Sequence, residues 1–268
     1  MKTFIKSLAA CSCAMLASIS LAGCKFGGIS GNSSGSNGGP GSAAKPTPVS
    51  ASSGGTGVEK VKPAPGTGNV QGTVLYNGKP VENIDVKLCE KFNRFLGGCD
   101  GKIIKGKTDK DGVYVIANVE PQVYESLLAR SFDSDYWIFA TSGIAGLDTT
   151  KYDVAADKTL FVQPINLFKD DLKIDNPKAG SKVSAKGLEL KWEPYPDAAY
   201  YKFSLHSEDL SVTSPYIDER VDATSYGLDK PIQKGTYRVQ IEAYSSADKK
   251  LSESPDDYKF TITDGTAQ

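Results

Sequence analysis

From Asn69 onward apolar side chains recur at every second position, the period of a strand with one face in a core and the other in water. Val70, Gly72, Val74 and Tyr76 run into Asn77-Gly78, the strongest two-residue hairpin signal, and Pro80 and Val81 open the returning chain. Val86 and Leu88 alternate toward Cys89. Thr108 to Gly112 reads as a turn feeding a strand over Val113 to Ala117, and Tyr136 to Thr141 and Thr159 to Leu167 are expected to complete this unit. Asp175-Asn176-Pro177 and Ala179-Gly180 then punctuate the chain before alternation resumes at Leu188, Leu190 and Trp192. Tyr200, Tyr201, Phe203 and Leu205 follow a Pro-rich turn, and Thr224, Tyr226 and Leu228 precede a run from Gly235 to Ala243. The pattern predicts an all-β protein with two consecutive β-sandwich domains, residues 69–168 and 169–268, each long enough to enclose its own core.

The chain ahead of Asn69 has no such pattern. Between Lys25 and Gly68, 25 of 44 residues are Gly, Ser or Pro, with Phe26 and Ile29 as the large apolar side chains. So little burial cannot offset the entropy of ordering, and the stretch is expected to be a flexible, disordered tether with a root-mean-square reach of roughly 35 to 40 Å. Before it, the positive start Met1 to Lys6 and the apolar run Ser7 to Ser20 form an export signal too short to span a bilayer. Leu21-Ala22-Gly23-Cys24 closes that run and resembles the lipobox of a bacterial lipoprotein signal peptide. The resemblance implies a signal peptide at residues 1–23 and, over residues 24–68, a lipidated cysteine and its linker. Cys24 would carry a diacylglycerol on its thiol and a further fatty acyl chain, such as palmitate, on its amine. Two or more chains anchor a protein durably. Lys25, in a place where Asp would favour retention at the inner membrane, points to the outer membrane of the cell envelope. Plain secretion with Cys24 at the cleavage site is the competing reading.

Two further resemblances concern the folded part. Gly72, Val74, Gly78, Pro80 and Val81, then Val86-x-Leu88 and Thr108-Asp109-x-Asp111-Gly112-x-Tyr114, resemble a carboxypeptidase regulatory-like domain, a transthyretin-like β-sandwich. Its second half departs from that pattern: Pro121-Gln122-Val123-Tyr124 replaces a Gly-x-Tyr, and a longer segment, Glu125 to Asp135, follows. The family name refers to a module beside metallocarboxypeptidases, and the zinc domain of those enzymes has no counterpart in this sequence. Leu190-x-Trp192, Asp197-Ala198-Ala199-Tyr200-Tyr201 and Gly235-Thr236-Tyr237-x-Val239-x-Ile241-x-Ala243 resemble a fibronectin type III domain. That implies Trp192 in the core and Tyr237 as its corner tyrosine. A sugar-stacking role for Trp192 is the alternative, and the alternation favours the core.

Charge and cysteine content narrow the function. Without Lys2 and Lys6, 29 basic side chains face 32 acidic ones, a balance of −3 that argues against nucleic acid. Of five cysteines, Cys11 and Cys13 leave with the signal and Cys24 is lipidated, so Cys89 and Cys99 remain as an even pair in an oxidising compartment. A disulfide is expected there, worth roughly 3 kcal/mol by loop closure, with a redox or metal pair as the alternative. Asp109, Asp111 and Gly112 share Asp-x-Asp-Gly with an EF-hand loop, yet Asn118 stands where its bidentate acid belongs, so a turn-forming role is expected and no metal.

The single histidine, His206, has no partner pattern for zinc or for a triad, and the acid pairs Asp133 with Asp135 and Asp256-Asp257 lie in loop-like stretches. The chain is therefore expected not to be an enzyme and to use no cofactor. Its candidate binding residues are Phe92, Arg94 and Phe95 in the Cys89 to Cys99 loop, and Tyr195, Tyr201, Tyr216 and Tyr244 in the second unit, where exposed aromatics would give rigid contact area. The functional expectation is a lipid-anchored binding or adhesive module for carbohydrate or an envelope protein; the alternative is a structural spacer or accessory subunit of an outer-membrane complex.

Overall fold

The computed structural model describes residues 57–93, 98–140 and 151–265, and these form strands and connecting turns. The first sandwich opens with β1 (Gly68–Tyr76), β2 (Lys79–Pro80), β3 (Asp85–Asn93) and β4 (Gly98–Lys107). It continues through β5 (Val113–Val119), β6 (Gln122–Tyr124), β7 (Ser126–Arg130) and β8 (Trp137–Phe139), and closes with β9 (Tyr152–Val154), β10 (Thr159–Phe161) and β11 (Ile165–Leu167).

β1 organises one layer. It runs antiparallel to β5, forms a hairpin with β2, and pairs in parallel first with β10 and then with β11. The other layer has the order β4-β3-β7-β8. Val70, Val74, Val86, Leu88, Tyr114, Ile116, Leu127 and Ile165 are buried between them. The hairpin between β1 and β2 turns on Asn77 and Gly78 at φ 48° and 74°, the positive angles that make Asn-Gly favourable there. Gly112 also has positive φ, 68°, and Asp109 Oδ1 accepts hydrogen bonds from the Asp111 and Val113 amides, so this motif is a backbone turn.

Three local expectations need correction. The single strand expected over Thr159 to Leu167 is two, β10 and β11, separated by a segment containing Pro164, whose missing N–H cannot join a ladder. Glu125 to Asp135, to which the sequence assigned no strand, contains β7, whose first four residues are all buried, so no alternation marks them. Residues 57–67, assigned to the free tether, are docked on the first sandwich. Asn69 Nδ2 donates to Val61 O at 2.6 Å, Gln71 Nε2 donates to Val58 O at 2.9 Å, and Gln71 Oε1 accepts from the Lys60 amide at 3.0 Å. Asn118 Oδ1 accepts from the Ala64 amide at 3.0 Å. An estimate from apolar content misses a strap held by backbone hydrogen bonds to buried amide side chains.

The second sandwich comprises β12 (Ile174–Asn176), β13 (Lys182–Val183), β14 (Glu189–Trp192), β15 (Tyr200–Ser207), β16 (Glu219–Val221), β17 (Ser225–Gly227), β18 (Gly235–Tyr244), β19 (Lys250–Glu253) and β20 (Lys259–Ile262). A sheet β12-β14-β17 packs on a sheet β13-β20-β18-β15-β16, with β19 also paired to β18. Trp192, Tyr201, Phe203, Leu205, Tyr237 and Ile241 lie in the core between them. Trp192 is 2% exposed and meets Tyr201 edge-on at 5.5 Å. Tyr237 Oη donates to Gln233 O at 3.0 Å, closing a tyrosine corner.

The connection between the sandwiches is itself hydrogen bonded. Lys169 N donates to Leu251 O at 3.0 Å, and Glu253 N donates to Lys169 O at 2.9 Å, so the connecting chain runs along β19. Asp171 Oδ1 accepts from Tyr195 Oη and from Ser252 Oγ, both at 2.8 Å. Asn77 Nδ2, in the first hairpin, donates to Asp197 Oδ2 at 3.2 Å.

Candidate functional site

The sequence-derived binding residues do not converge. Tyr201 and Tyr216, expected among residues free to bind, are core side chains, 5% and 0% exposed. Tyr201 Oη accepts the Tyr195 amide at 2.8 Å, and Tyr216 Oη accepts the Lys230 amide at 2.5 Å, so each uses its hydroxyl to hold a turn. Tyr201 sits on a core-facing position that the adjacent Tyr200 disguises, and Tyr216 lies in a connection with no alternation to mark it. Tyr195 is half-buried at the junction, tied to Asp171. Tyr244 is half-buried on the outer face of the second sandwich, stacked on Tyr200 at 5.1 Å and donating to Glu242 Oε2 at 2.7 Å. Cys24, Arg94 and Phe95 lie outside the described residues. Phe92 alone joins a cluster.

That cluster forms on the outer face of the β4-β3-β7-β8 sheet. Strand register places Lys105, Lys87, Leu128 and Phe139 in one row across the four strands. The neighbouring positions hold Lys107 opposite Asp85 and Arg130 opposite Trp137, and on the other side Ile103 lies opposite Cys89. Val86, Leu88, Leu127 and Ala129 alternate with these and point inward, which fixes the exposed set by the pleat.

The chemistry of this face is aromatic and cationic. Lys87 Nζ sits 3.8 Å from the centroid of the Trp137 ring, a cation–π contact. Phe92 meets Phe139 edge-on at 5.2 Å, and Ile103 remains 44% exposed. The Phe92 amide donates to Glu125 Oε2 at 2.9 Å, and the same carboxylate pairs with Lys151 at 2.8 Å, which fixes the end of β3. The Cys89–Cys99 disulfide, with Cα atoms 5.4 Å apart, links β3 to β4 under this corner.

Four cations, Lys87, Lys105, Lys107 and Arg130, share the face with Asp85, and Arg130 also lies 3.6 Å from Asp135 in the turn before β8. Asp85 lies 3.5 Å from Lys107 and 3.9 Å from Arg130. Among the described residues no carboxylate lies within ion-pairing distance of Lys87 or Lys105. Burial and then the nearby Lys105 charge push the Lys87 ammonium below its usual pKa.

Trp137 and Phe139 were not singled out from sequence. The signal was present: Tyr136 to Phe139 is apolar at both alternating sets, so a strand there must show large side chains on both faces. What sequence withholds is that β8 ends the sheet and lies beside Lys87.

The remaining titratable groups are dispersed. His206 is half-buried on β15 opposite Arg238, and Asp133, Asp135, Asp256 and Asp257 are exposed. Among the described residues no group of three or more His, Cys, Asp or Glu side chains is placed to hold a metal ion.

No protein-family model and no curated protein matches the chain. Solved structures give distant matches. The fibronectin(III)-like modules of Clostridium thermocellum CbhA are 13% identical, with a TM-score of 0.27, over 73% of this chain and 91% of that one. The major pilin SpaD of Corynebacterium diphtheriae is 10% identical over 72% of this chain and 64% of its own, with a TM-score of 0.26. The major pilin subunit BcpA of Bacillus cereus is 13% identical over 73% and 69%, with a TM-score of 0.24.

Proposed function

We propose that this chain is a non-enzymatic recognition module of the cell envelope, anchored in the outer membrane by lipid on Cys24 and contacting carbohydrate or a partner protein through the outer face of the first sandwich. The observation that carries the reading is the clustering of Trp137, Phe139, Phe92 and Ile103 with Lys87 and Lys105 on one sheet face. Aromatic and cationic side chains held by a rigid sheet offer contact area at small entropic cost.

A spacer role draws on a different observation, the hydrogen-bonded junction at Lys169 and Asp171, which would hold two sandwiches as one rod. The two readings part experimentally. Full chain and a Trp137→Ala variant, both checked for folding by their melting curves, are compared on a glycan array and in envelope pulldowns. Recognition predicts retained ligands that Trp137→Ala loses; identical profiles for the two proteins overturn it in favour of the spacer. Replacing Cys24 with Ser tests the anchor: release from the membrane fraction is expected, and unchanged membrane partition refutes lipidation.

A further inference from the structure

We infer that the ligand of this face is an anionic polysaccharide, a chain of uronic acids or similarly charged sugars. The inference rests on the reading of the face as a recognition surface and specifies its chemistry.

Charge is the first argument. Lys87 and Lys105 are cross-strand neighbours, and two like charges directly opposite each other cost stability unless something outside the sheet compensates them. A neutral sugar would offer these ammonium groups hydroxyl acceptors alone, whereas carboxylates would also neutralise their charge through stronger, charge-assisted bonds. Lys87 now rests on the Trp137 ring, and a carboxylate could draw its flexible head off that ring, baring the indole for a sugar's C–H face.

Spacing is the second. Lys105, Lys87, Leu128 and Phe139 lie in register on four neighbouring strands, so the row spans about 14 Å at the usual strand separation. Cation at one end and aromatic at the other fit an extended, repeating ligand that presents charge and ring faces in turn. The apolar part is small: Phe92, Trp137 and Phe139 are half-buried and Ile103 is exposed.

The test is calorimetric titration of the full chain in detergent with polygalacturonate, with its fully methyl-esterified form, and with vesicles containing phosphatidylglycerol. Binding to polygalacturonate, absent with the ester and weakened as salt rises, is expected. Lys87→Gln combined with Lys105→Gln should weaken it about tenfold, and Lys105→Gln alone, at an exposed position that leaves the core untouched, about threefold. Lys182→Gln with Lys186→Gln, a charge-matched change on the second sandwich, should bind as the unmodified chain does. Equal binding of the ester would overturn the anionic class while leaving the face as a recognition surface. Binding to vesicles alone, or to none of the three, would overturn the ligand class as well; polygalacturonate binding indifferent to the Lys87, Lys105 and Trp137 substitutions would overturn both the class and the site.

Discussion

Tyr114 on β5 lies directly opposite Gly72 on β1, and its ring occupies the space into which a Cβ on Gly72 would project. The two residues are far apart in sequence, yet each explains the other: a fully buried tyrosine can cross β1 only where the strand has no side chain. Gly72→Ala forces overlap in a packed core and is expected to cost about 1–3 kcal/mol. Tyr114→Phe should be neutral or stabilising, because Tyr114 Oη is buried without a hydrogen-bond partner among the described residues. Denaturant melts of the two variants check the pair, and a strongly destabilised Tyr114→Phe would mean that the hydroxyl has a partner.

The docked strap should contribute measurably to stability. Protein beginning at Gly57 is expected to melt higher than protein beginning at Asn69, since the latter loses the hydrogen bonds that Asn69 and Gln71 donate to Val61 O and Val58 O and the one that Gln71 accepts from the Lys60 amide. The difference expected is about 1–3 kcal/mol for a few partly buried bonds. Equal stability would show that the strap is held too loosely to matter.

The Cys89–Cys99 disulfide closes a short loop between two paired strands. Its removal in Cys89→Ala/Cys99→Ala should cost about 3 kcal/mol by the loop-entropy argument, and the loss should localise to the first sandwich. Mass mapping without reductant should find the cross-linked peptide, and two free thiols in envelope-derived protein would contradict the bond.

His206 gives the chain a pH signature that belongs to a single group. Burial, with the neighbouring Arg238 charge, lowers its pKa below the ordinary 6.5. As pH falls through 6.5 the unfolded chain takes up a proton before the folded one does, so this contribution to stability is full above 6.5 and declines below it until the folded form is protonated too. His206→Gln should flatten the slope in that window, read from melts at several pH values together with an NMR titration of the imidazole. A histidine titrating at or above 6.5 would refute the assignment.

How much of this was legible beforehand depended on the range of the interaction concerned. Alternation, the Asn77-Gly78 hairpin, the Asp109 to Gly112 turn and the packing of Trp192 and Tyr237 are local or periodic consequences of side-chain size and backbone freedom, and sequence by itself determined them along with the all-β class. Tyr124 marks where that reasoning thins. It stands where a familiar pattern breaks, yet its Oη donates to Glu120 O at 3.0 Å, the same four-residue corner that Tyr237 makes with Gln233. Which tyrosines are buried, how β1 divides its pairing between β10 and β11, and how Asn69 and Gln71 capture the strap were decided by tertiary structure, because each depends on what faces a residue across a sheet or from a distant segment. The candidate face belongs to that second kind. Lys87, Lys105, Trp137 and Phe139 come from three strands, and only the order β4-β3-β7-β8 sets the lysines beside the aromatic rings.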